Sequence, residues 1–299
     1  MAGLDARPAL ALSLLVALLA GCAGPVSDGA IITTAPNGPR EAIPATVDKP
    51  EGSGPFPAVV IMHDCSGLGP RSSGAPKRWA RELGARGYVT VIPDSFTTRG
   101  HPDGVCTHAS PTRVDVAPSR RVRDAYAALA HARALPYVDG RRVGLMGGSH
   151  GGSTTLAAMA APPSAGNRLA RERDAGFAAA VALYPSCRVT LGTWRADGTG
   201  TYRSAAPLLI LIGEKDDWTP AAPCLKLAAS TQATEHPVAI TVYPGAHHSF
   251  DSDRPVRFLA ARVNRNAPGG RGATTGGDAT AWADSIRRVV AFFGEHLRP

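Results

Sequence analysis

The stretch that decides the fold is Arg142-Val-Gly-Leu-Met-Gly-Gly-Ser-His-Gly151. An apolar run ends at Met146, a G-x-S-x-G pattern follows at once, and a helical segment, Thr154–Ala161, comes next. Strand, sharp turn and helix in this order are the setting of a nucleophilic serine raised above the edge of a sheet. Glycines flank such a serine because larger side chains would crowd a strained turn. The pattern predicts Ser149 as a nucleophile; the alternative is a glycine-rich turn with an ordinary serine.

Apolar runs like the one before Ser149 recur along the chain and predict strands buried on both faces of a parallel sheet. They lie at Ala58–Met62, Tyr88–Ile92, Arg142–Met146, Phe177–Tyr184, Leu208–Ile212 and Val238–Tyr243. Two segments nearer the N-terminus, Ala30–Thr34 and Arg40–Val47, are predicted to form short edge strands.

Helical segments fall between these strands. They lie at Lys77–Arg86, Ser119–Leu135, Thr154–Ala161, Ala222–Thr231 and Thr280–His296. The alternation predicts an α/β protein with a doubly wound, mostly parallel sheet and helices on both faces. Active sites in such sheets lie beyond the carboxyl ends of the strands. Two stretches fit no element, Leu191–Ser204 and Asn264–Asp278, and are predicted to be loops or insertions.

The composition is that of an ordinary globular domain, because 44% of the 299 residues are hydrophobic and 19% are charged. The formal net charge of +8 raises the question of nucleic-acid binding. However, the basic residues are interspersed with Asp and Glu, and the sequence has no Lys/Arg run with interleaved aromatic residues. We therefore expect a solvated basic surface and no nucleic-acid partner.

The N-terminus has the features of a targeting segment. Residues 8–20 are nearly all apolar, too short a run to span a bilayer comfortably but typical of a signal-peptide core. The run ends in Leu19-Ala-Gly-Cys22, which resembles the lipobox of bacterial lipoproteins. That resemblance implies cleavage before Cys22 and a lipid on its thiol; the alternative is a plain secretory signal with a chance cysteine. We expect an exported protein anchored to a membrane surface, facing the periplasm or on the cell surface. The predicted division is 1–22 signal peptide, 23–39 tether and N-terminal edge, and 40–299 catalytic domain.

Export to an oxidising compartment changes how the remaining cysteines are interpreted. Four are left after Cys22, namely Cys65, Cys106, Cys187 and Cys224. An even number is typical of disulfide bonding, and four cysteines allow three pairings. No CxxC motif or Cys/His cluster predicts a metal site.

A catalytic serine needs a general base and an acid that orients it. In the order Ser, Asp, His, the base is expected late in the chain. His247 and His248 both follow the last predicted strand, and spacing does not choose between them. Three carboxylates, Glu214, Asp216 and Asp217, follow the strand before it and compete equally for the role of acid.

Acyl transfer also needs two backbone N–H groups that stabilise the oxyanion. One is expected from the residue after the nucleophile, His150, and the other from the loop after the Ala58–Met62 strand. That loop contains His63-Asp-Cys-Ser-Gly-Leu68, and we choose Cys65 as the donor.

From about Arg40 to the C-terminus the chain resembles the dienelactone hydrolase family, which implies an α/β-hydrolase fold. The matching segments are Pro57-Ala-Val-Val-Ile-Met-His-Asp-Cys-Ser-Gly, Tyr88-Val-Thr-Val-Ile-Pro-Asp-Ser-Phe, Gly147-Gly-Ser-His-Gly, Gly213-Glu-Lys-Asp-Asp-Trp-Thr-Pro and Tyr243-Pro-Gly-Ala-His-His-Ser-Phe. The resemblance implies Asp216, in the G-x-x-D position, as the acid and His248, two residues before Phe250, as the base. Related exported sequences imply the disulfides Cys65–Cys106 and Cys187–Cys224.

The chain departs from the family's namesake, which uses a cysteine nucleophile where this sequence has Ser149. Arg99 is a candidate for binding the carboxylate of a dienelactone, with an ordinary surface arginine as the alternative. We predict a serine hydrolase that cleaves a carboxylic ester or lactone through an acyl-enzyme, without a metal or organic cofactor. The rival hypotheses are a non-catalytic lipoprotein that uses the fold as a binding scaffold, and a peptidase or acyltransferase with the same triad.

Overall fold

The computed structural model describes residues 29–34, 39–108, 111–161 and 176–297. The predicted signal peptide and the lipidation site at Cys22 lie outside these residues. Within the described ranges, no helix combines the length and apolar character needed to cross a bilayer.

A central sheet of eight strands occupies the middle of the described chain. The strands are β1 (Ala30–Thr34), β2 (Arg40–Asp48), β3 (Phe56–Met62), β4 (Val89–Pro93), β5 (Val138–Gly148), β6 (Ala180–Leu183), β7 (Leu208–Gly213) and β8 (Ala239–Tyr243). Their order in the sheet is β1-β2-β4-β3-β5-β6-β7-β8. The six consecutive strands β4, β3, β5, β6, β7 and β8 run parallel to one another. Strands β1 and β2 form an antiparallel edge beside β4. The predicted mostly parallel sheet is confirmed.

Helices pack on both faces of this sheet. They are α1 (Ala75–Gly84), α2 (Pro118–Ala134), α3 (His150–Met159), α4 (Ala221–Ser230) and α5 (Ala279–Leu297). Helices α1 and α5 contact each other through Trp79 and Trp282, whose rings meet edge to face with their centroids 4.6 Å apart. Gly144 of β5 allows α5 to approach, because a Cβ there would lie 2.8 Å from side-chain atoms of Phe293 and Leu297. Helices α2 and α3 pack on each other and on β5.

The prediction of a loop over Asn264–Asp278 is wrong in part. Strands β9 (Arg257–Val263) and β10 (Arg271–Thr275) form a separate antiparallel pair. Most of β9 is exposed, so it lacks the continuous apolar run by which buried strands are recognised. The other predicted loop, Leu191–Ser204, is irregular as expected and is anchored by Trp194, whose buried Nε1 donates to the Cys187 carbonyl.

Two disulfides hold loops at the carboxyl ends of the strands. Cys65, after β3, bonds to Cys106, which lies in the long connection after β4. Cys187, after β6, bonds to Cys224 in α4. These are the two pairs that the family resemblance implies. Each bond joins segments about 40 residues apart, so each restricts the unfolded chain.

Candidate active site

The site lies where neighbouring parallel strands end. Five of its residues each follow a different strand: Cys65 after β3, Ser149 after β5, Tyr184 after β6, Asp216 after β7 and His248 after β8. These strands are adjacent and parallel in the sheet. Their carboxyl ends therefore meet along one edge, which brings together residues that are far apart in sequence.

Ser149 occupies a strained turn between β5 and α3. Its φ of 54° and ψ of −112° are unfavourable for a residue with a side chain. The flanking glycines permit this turn because other backbone segments approach them too closely to leave room for a side chain. A Cβ on Gly147 would lie 2.5 Å from backbone atoms of Gly151, and one on Gly151 would lie 2.0 Å from the Met62 carbonyl oxygen. The turn presents the Ser149 hydroxyl at the N-terminus of α3, where the helix dipole favours negative charge.

A continuous chain of hydrogen bonds links serine, histidine and aspartate. His248 Nε2 lies 2.9 Å from Ser149 Oγ, and His248 Nδ1 lies 2.7 Å from Asp216 Oδ2. All three side chains are buried. Because a carboxylate only accepts, Nδ1 carries the ring hydrogen and Nε2 is left to accept the hydroxyl hydrogen of Ser149. This is the arrangement that a general base needs.

The competing candidates from the sequence lie elsewhere. His247 is half-buried, and its Nδ1 lies 3.1 Å from the Lys215 carbonyl oxygen. Glu214 is exposed and accepts from a backbone N–H, that of Gly245. Asp217 is also exposed, and its Oδ1 accepts from the Thr274 N–H. Among the residues that sequence spacing left open, His248 contacts the serine and Asp216 contacts His248.

The loops that carry the acid and the base are joined by their backbones. Lys215 N donates to Ala246 O at 2.9 Å, and Glu214 N donates to Tyr243 O at 2.9 Å. Gly213 makes this possible, since a Cβ there would lie 2.3 Å from the Ala246 oxygen. The carbonyl of His248 also accepts from Gly276 N, just beyond β10. The imidazole is therefore fixed from two sides.

Sequence reasoning missed the residues that orient the triad. Asp216 Oδ1 accepts from the backbone N–H groups of Trp218 at 3.0 Å and Thr219 at 2.7 Å. Thr219 Oγ1 lies 2.9 Å from Asp216 Oδ2 and 3.0 Å from His248 Nδ1. The ring centroids of Trp218 and Tyr184 each lie 4.8 Å from the ring centroid of His248. The available signal was the Asp-x-x-Thr spacing, since an aspartate often accepts from the N–H two residues on.

The two residues predicted as oxyanion donors lie near the ends of neighbouring strands. His150 follows Ser149 as the first residue of α3, and Cys65 lies in the loop after β3. Both line the same cavity as Ser149. Cys65 is held there by its disulfide and by its carbonyl, which accepts from Val105 N at 2.7 Å. The loop is thus rigidly supported, as preorganised stabilisation of an oxyanion requires.

Two cavities have Ser149 in their lining. The larger, of about 800 Å³, has apolar walls that include Val114, Pro118, Val189 and Val263. Ser149 lies in its lining, so this cavity is large enough to hold an acyl or alcohol group beside the reacting atom.

The smaller cavity, of about 50 Å³, is strongly basic. Four arginines line it together with Ser149, namely Arg71, Arg254, Arg257 and Arg262. Burial lowers the pKa of Arg262, and the charges of Arg257 and Arg254 add to that shift, while Asp64 opposes it. Like charges that repel one another in this way favour an anionic ligand between them.

Arg99 has neither of the roles considered from the sequence. Its side chain is buried and forms ion pairs with Glu41 at 2.8 Å and Asp124 at 2.7 Å. Burial opposes the charge, but hydrogen bonds to Asp124 and Glu41 outweigh it and raise the pKa of Arg99. Arg99 therefore ties β2 to α2 and is neither a surface arginine nor a ligand for a substrate carboxylate.

Comparisons with known proteins identify the family of the chain and relatives of its fold. The model of the dienelactone hydrolase family matches residues 43–297. A curated relative from a Bradyrhizobium species, named "Probable 2-oxo-3-(5-oxofuran-2-ylidene)propanoate lactonase", is 24% identical over 226 residues, or 74% of this chain and 86% of the relative.

Two solved structures share the fold. One is a dienelactone hydrolase-like, promiscuous phosphotriesterase from metagenomic libraries, with a TM-score of 0.61 and 21% identity, covering 90% of this chain and 98% of that one. The other is esterase 2 of Thermogutta terrifontis, phosphonylated by cyclosarin, with a TM-score of 0.60 and 18% identity, covering 92% of this chain and 97% of that one.

Proposed function

Because the chain belongs to the dienelactone hydrolase family, we propose that it is a serine hydrolase that cleaves a carboxylic ester or lactone through an acyl-enzyme on Ser149. The observation that carries this proposal is the hydrogen-bond chain from Ser149 through His248 to Asp216. A hydroxyl, an imidazole and a carboxylate in this order are the groups that acyl transfer needs.

The proposed reaction has two halves. His248 Nε2 accepts the hydroxyl proton as Ser149 Oγ attacks the carbonyl carbon, and Asp216 stabilises the imidazolium. The N–H groups of Cys65 and His150 stabilise the oxyanion of the tetrahedral intermediate. The imidazolium then protonates the leaving alkoxide, which departs and leaves the acyl group on Ser149. Water, deprotonated by the same imidazole, releases the acid in the second half.

The basic cavity supports an anionic substrate. Its arginines line the same cavity as Ser149 and His248, so an anionic group of a substrate bound at the serine would lie beside them. The curated relative is named for a lactone that itself carries a carboxylate, a propanoate. We propose that this chain prefers an ester or lactone with a free carboxylate. The half ester mono-p-nitrophenyl succinate and its methyl ester test this, because methylation removes the negative charge and adds only one methyl group. At low salt the acid should have the higher kcat/KM, by about tenfold, and the preference should fade as salt screens the arginines. Equal kcat/KM values would contradict it.

The proposed function is tested by removing the Ser149 hydroxyl and measuring the remaining activity. Ser149→Ala should lower kcat for a short p-nitrophenyl ester at least about 10⁴-fold. Ser230→Ala is the matched control, because the Ser230 hydroxyl donates to the Leu227 carbonyl and accepts from the Tyr202 N–H, neither of which belongs to the candidate site, and kcat should be unchanged. Undiminished turnover by Ser149→Ala would rule the proposal out.

The rival functions give different results in the same assays. A non-catalytic scaffold would not react with a fluorophosphonate probe, whereas the proposed nucleophile should be labelled. A peptidase would turn over a peptide amide, whereas the proposed hydrolase should cleave the matching ester and leave the amide intact. An acyltransferase would yield mostly a new ester when an alcohol acceptor is added, which product analysis would detect.

The targeting segment is a separate proposal. We propose that the chain is exported and carries a lipid on Cys22, which would hold the hydrolase at a membrane surface. Intact-mass spectrometry of the protein from membranes should give a mature chain that starts at Cys22 with added acyl groups. An unmodified Cys22, or a different mature N-terminus, would contradict the anchor.

A further inference from the structure

Arg121 is a buried cation that forms no ion pair with the described residues, although the charges of Asp124 and Asp64 attract it from a greater distance. Its side chain, on α2, has no exposed surface, and its Nε and Nη2 make no hydrogen bond to the described residues. Burial lowers the pKa of Arg121 to about 10. Its neighbour in the sequence, Arg120, is also buried but forms ion pairs with Glu41 and Asp124. The two arginines therefore differ sharply: one is part of a structural ion network and the other is not.

The hydrogen-bond partner of Arg121 is the residue that follows the nucleophile. Arg121 Nη1 lies 2.8 Å from Nδ1 of His150. A guanidinium has only donors, so Nδ1 accepts, and the imidazole is neutral with its hydrogen on Nε2. Phe96 supports both groups: its ring centroid lies 5.0 Å from the Arg121 guanidinium and 5.6 Å from the His150 ring.

The position of this charge relates it to the reaction. His150 is the residue whose backbone N–H is one of the two proposed oxyanion donors, and the guanidinium contacts the side chain of this same residue. A fixed positive charge in a buried, water-poor site acts more strongly than it would in solvent. Elsewhere in the protein the same charge would only destabilise the fold, since a buried ion without a partner is costly.

We propose that Arg121 is a positioning residue for acyl transfer, which holds the His150 imidazole in its Nε2–H tautomer and supplies a permanent positive charge behind the oxyanion site. This inference rests on the proposed function of Ser149. It explains why a buried cation persists where an apolar side chain of similar length would pack at lower cost.

The proposal predicts that activity and stability change in opposite directions. Arg121→Met keeps the length of the side chain and removes the charge. It should lower kcat for a p-nitrophenyl ester by 10- to 100-fold with little change in KM, while the melting temperature stays the same or rises. Arg120→Met is the matched control, one residue away on the same helix. It should lower the melting temperature, because Glu41 and Asp124 lose a partner, and leave kcat within about twofold.

A second variant and a spectroscopic measurement keep the proposal falsifiable if Arg121→Met folds poorly. Arg121→Lys retains the charge and should keep most of kcat. Nitrogen-15 NMR of the wild-type imidazoles should show His150 neutral with hydrogen on Nε2. Wild-type kcat in Arg121→Met, equal losses of kcat in the Lys and Met variants, or hydrogen on Nδ1 of His150 would each overturn the inference. Failure of the proposed function would be seen separately, as esterase activity that survives Ser149→Ala.

Discussion

Replacing Asp216 by asparagine should disable the general base through its tautomer. Oδ1 of Asp216 accepts from two backbone N–H groups, those of Trp218 and Thr219, at 3.0 and 2.7 Å. In Asp216→Asn only the amide oxygen can accept at that position, so the NH₂ group must occupy the position of Oδ2, 2.7 Å from His248 Nδ1. Nδ1 would then accept, and the ring hydrogen would move to Nε2, which faces Ser149.

The expected loss follows from this change of tautomer. With hydrogen on Nε2 the ring cannot take the serine proton, and kcat should fall by about 10³- to 10⁴-fold, a barrier increase of about 4–5.5 kcal/mol. The KM should change little, because Asp216 does not line either cavity beside Ser149. The assay is steady-state hydrolysis of p-nitrophenyl acetate, with labelling by a fluorophosphonate probe as a second readout.

Asp217→Asn is the matched control for this variant. Its carboxylate is adjacent in sequence but exposed, and it accepts only from the Thr274 N–H. It should keep wild-type kcat. A kcat for Asp216→Asn within about tenfold of the wild-type value would refute the assignment of Asp216 as the acid.

Three further predictions test the supports of the site. Replacing both Cys65 and Cys106 by serine opens a 41-residue loop and should lower the free energy of unfolding by about 4 kcal/mol in urea titration. It should also lower kcat, because the disulfide holds the loop that carries the backbone N–H of residue 65, and an unchanged kcat would show that the disulfide does not position this donor. Burial holds the pKa of His63 well below its usual value, with the Arg121 charge adding to the effect. As the pH falls, the unfolded chain therefore takes up this proton before the folded protein does. The free energy of unfolding should fall below about pH 6.5, by up to about 1.4 kcal/mol per pH unit. His63→Gln should flatten this slope, and an identical slope would exclude His63 as its source. Arg262→Gln should reduce kcat/KM for mono-p-nitrophenyl succinate by about tenfold and leave its methyl ester unaffected; equal losses on both would mean a structural role.

The sequence carried enough information for the sheet and for the serine turn. Strands buried on both faces need continuous apolar runs, and Ala58–Met62 and Leu208–Ile212 are such runs, so the parallel sheet could be predicted. The glycines around Ser149 could be interpreted because a sharp turn leaves no room for larger side chains. The strand ends then directed attention to the loops that follow them.

The sequence pattern does not show which of two neighbouring residues in those loops is the base or the acid, because that depends on the three-dimensional structure. His247 and His248 have the same local sequence context, and only the orientation of each ring relative to Ser149 separates them. The family resemblance selected His248 and Asp216 by analogy, whereas the structure gives the distances.

The features that escaped prediction share a physical cause: they depend on contacts between distant segments. Arg99 lies in a loop and suggests a surface residue, but Glu41 and Asp124 enclose it. The exposed hairpin of β9 and β10 has no apolar run to mark it. Arg121 stands beside Arg120 in one helical segment, and nothing in the sequence distinguishes an ion-paired arginine from one that contacts His150.

The central claim is that an acyl group passes through Ser149, and trapping that group tests it most directly. The protein would be mixed with an excess of a slowly released p-nitrophenyl ester, quenched in acid within the first turnover, and digested with trypsin, which yields the peptide 143–168. We predict that fragmentation will locate the acyl mass on Ser149, and that Ser149→Ala will give no adduct and no burst of p-nitrophenol. An acyl group on another residue, or a full burst without Ser149, would contradict the account.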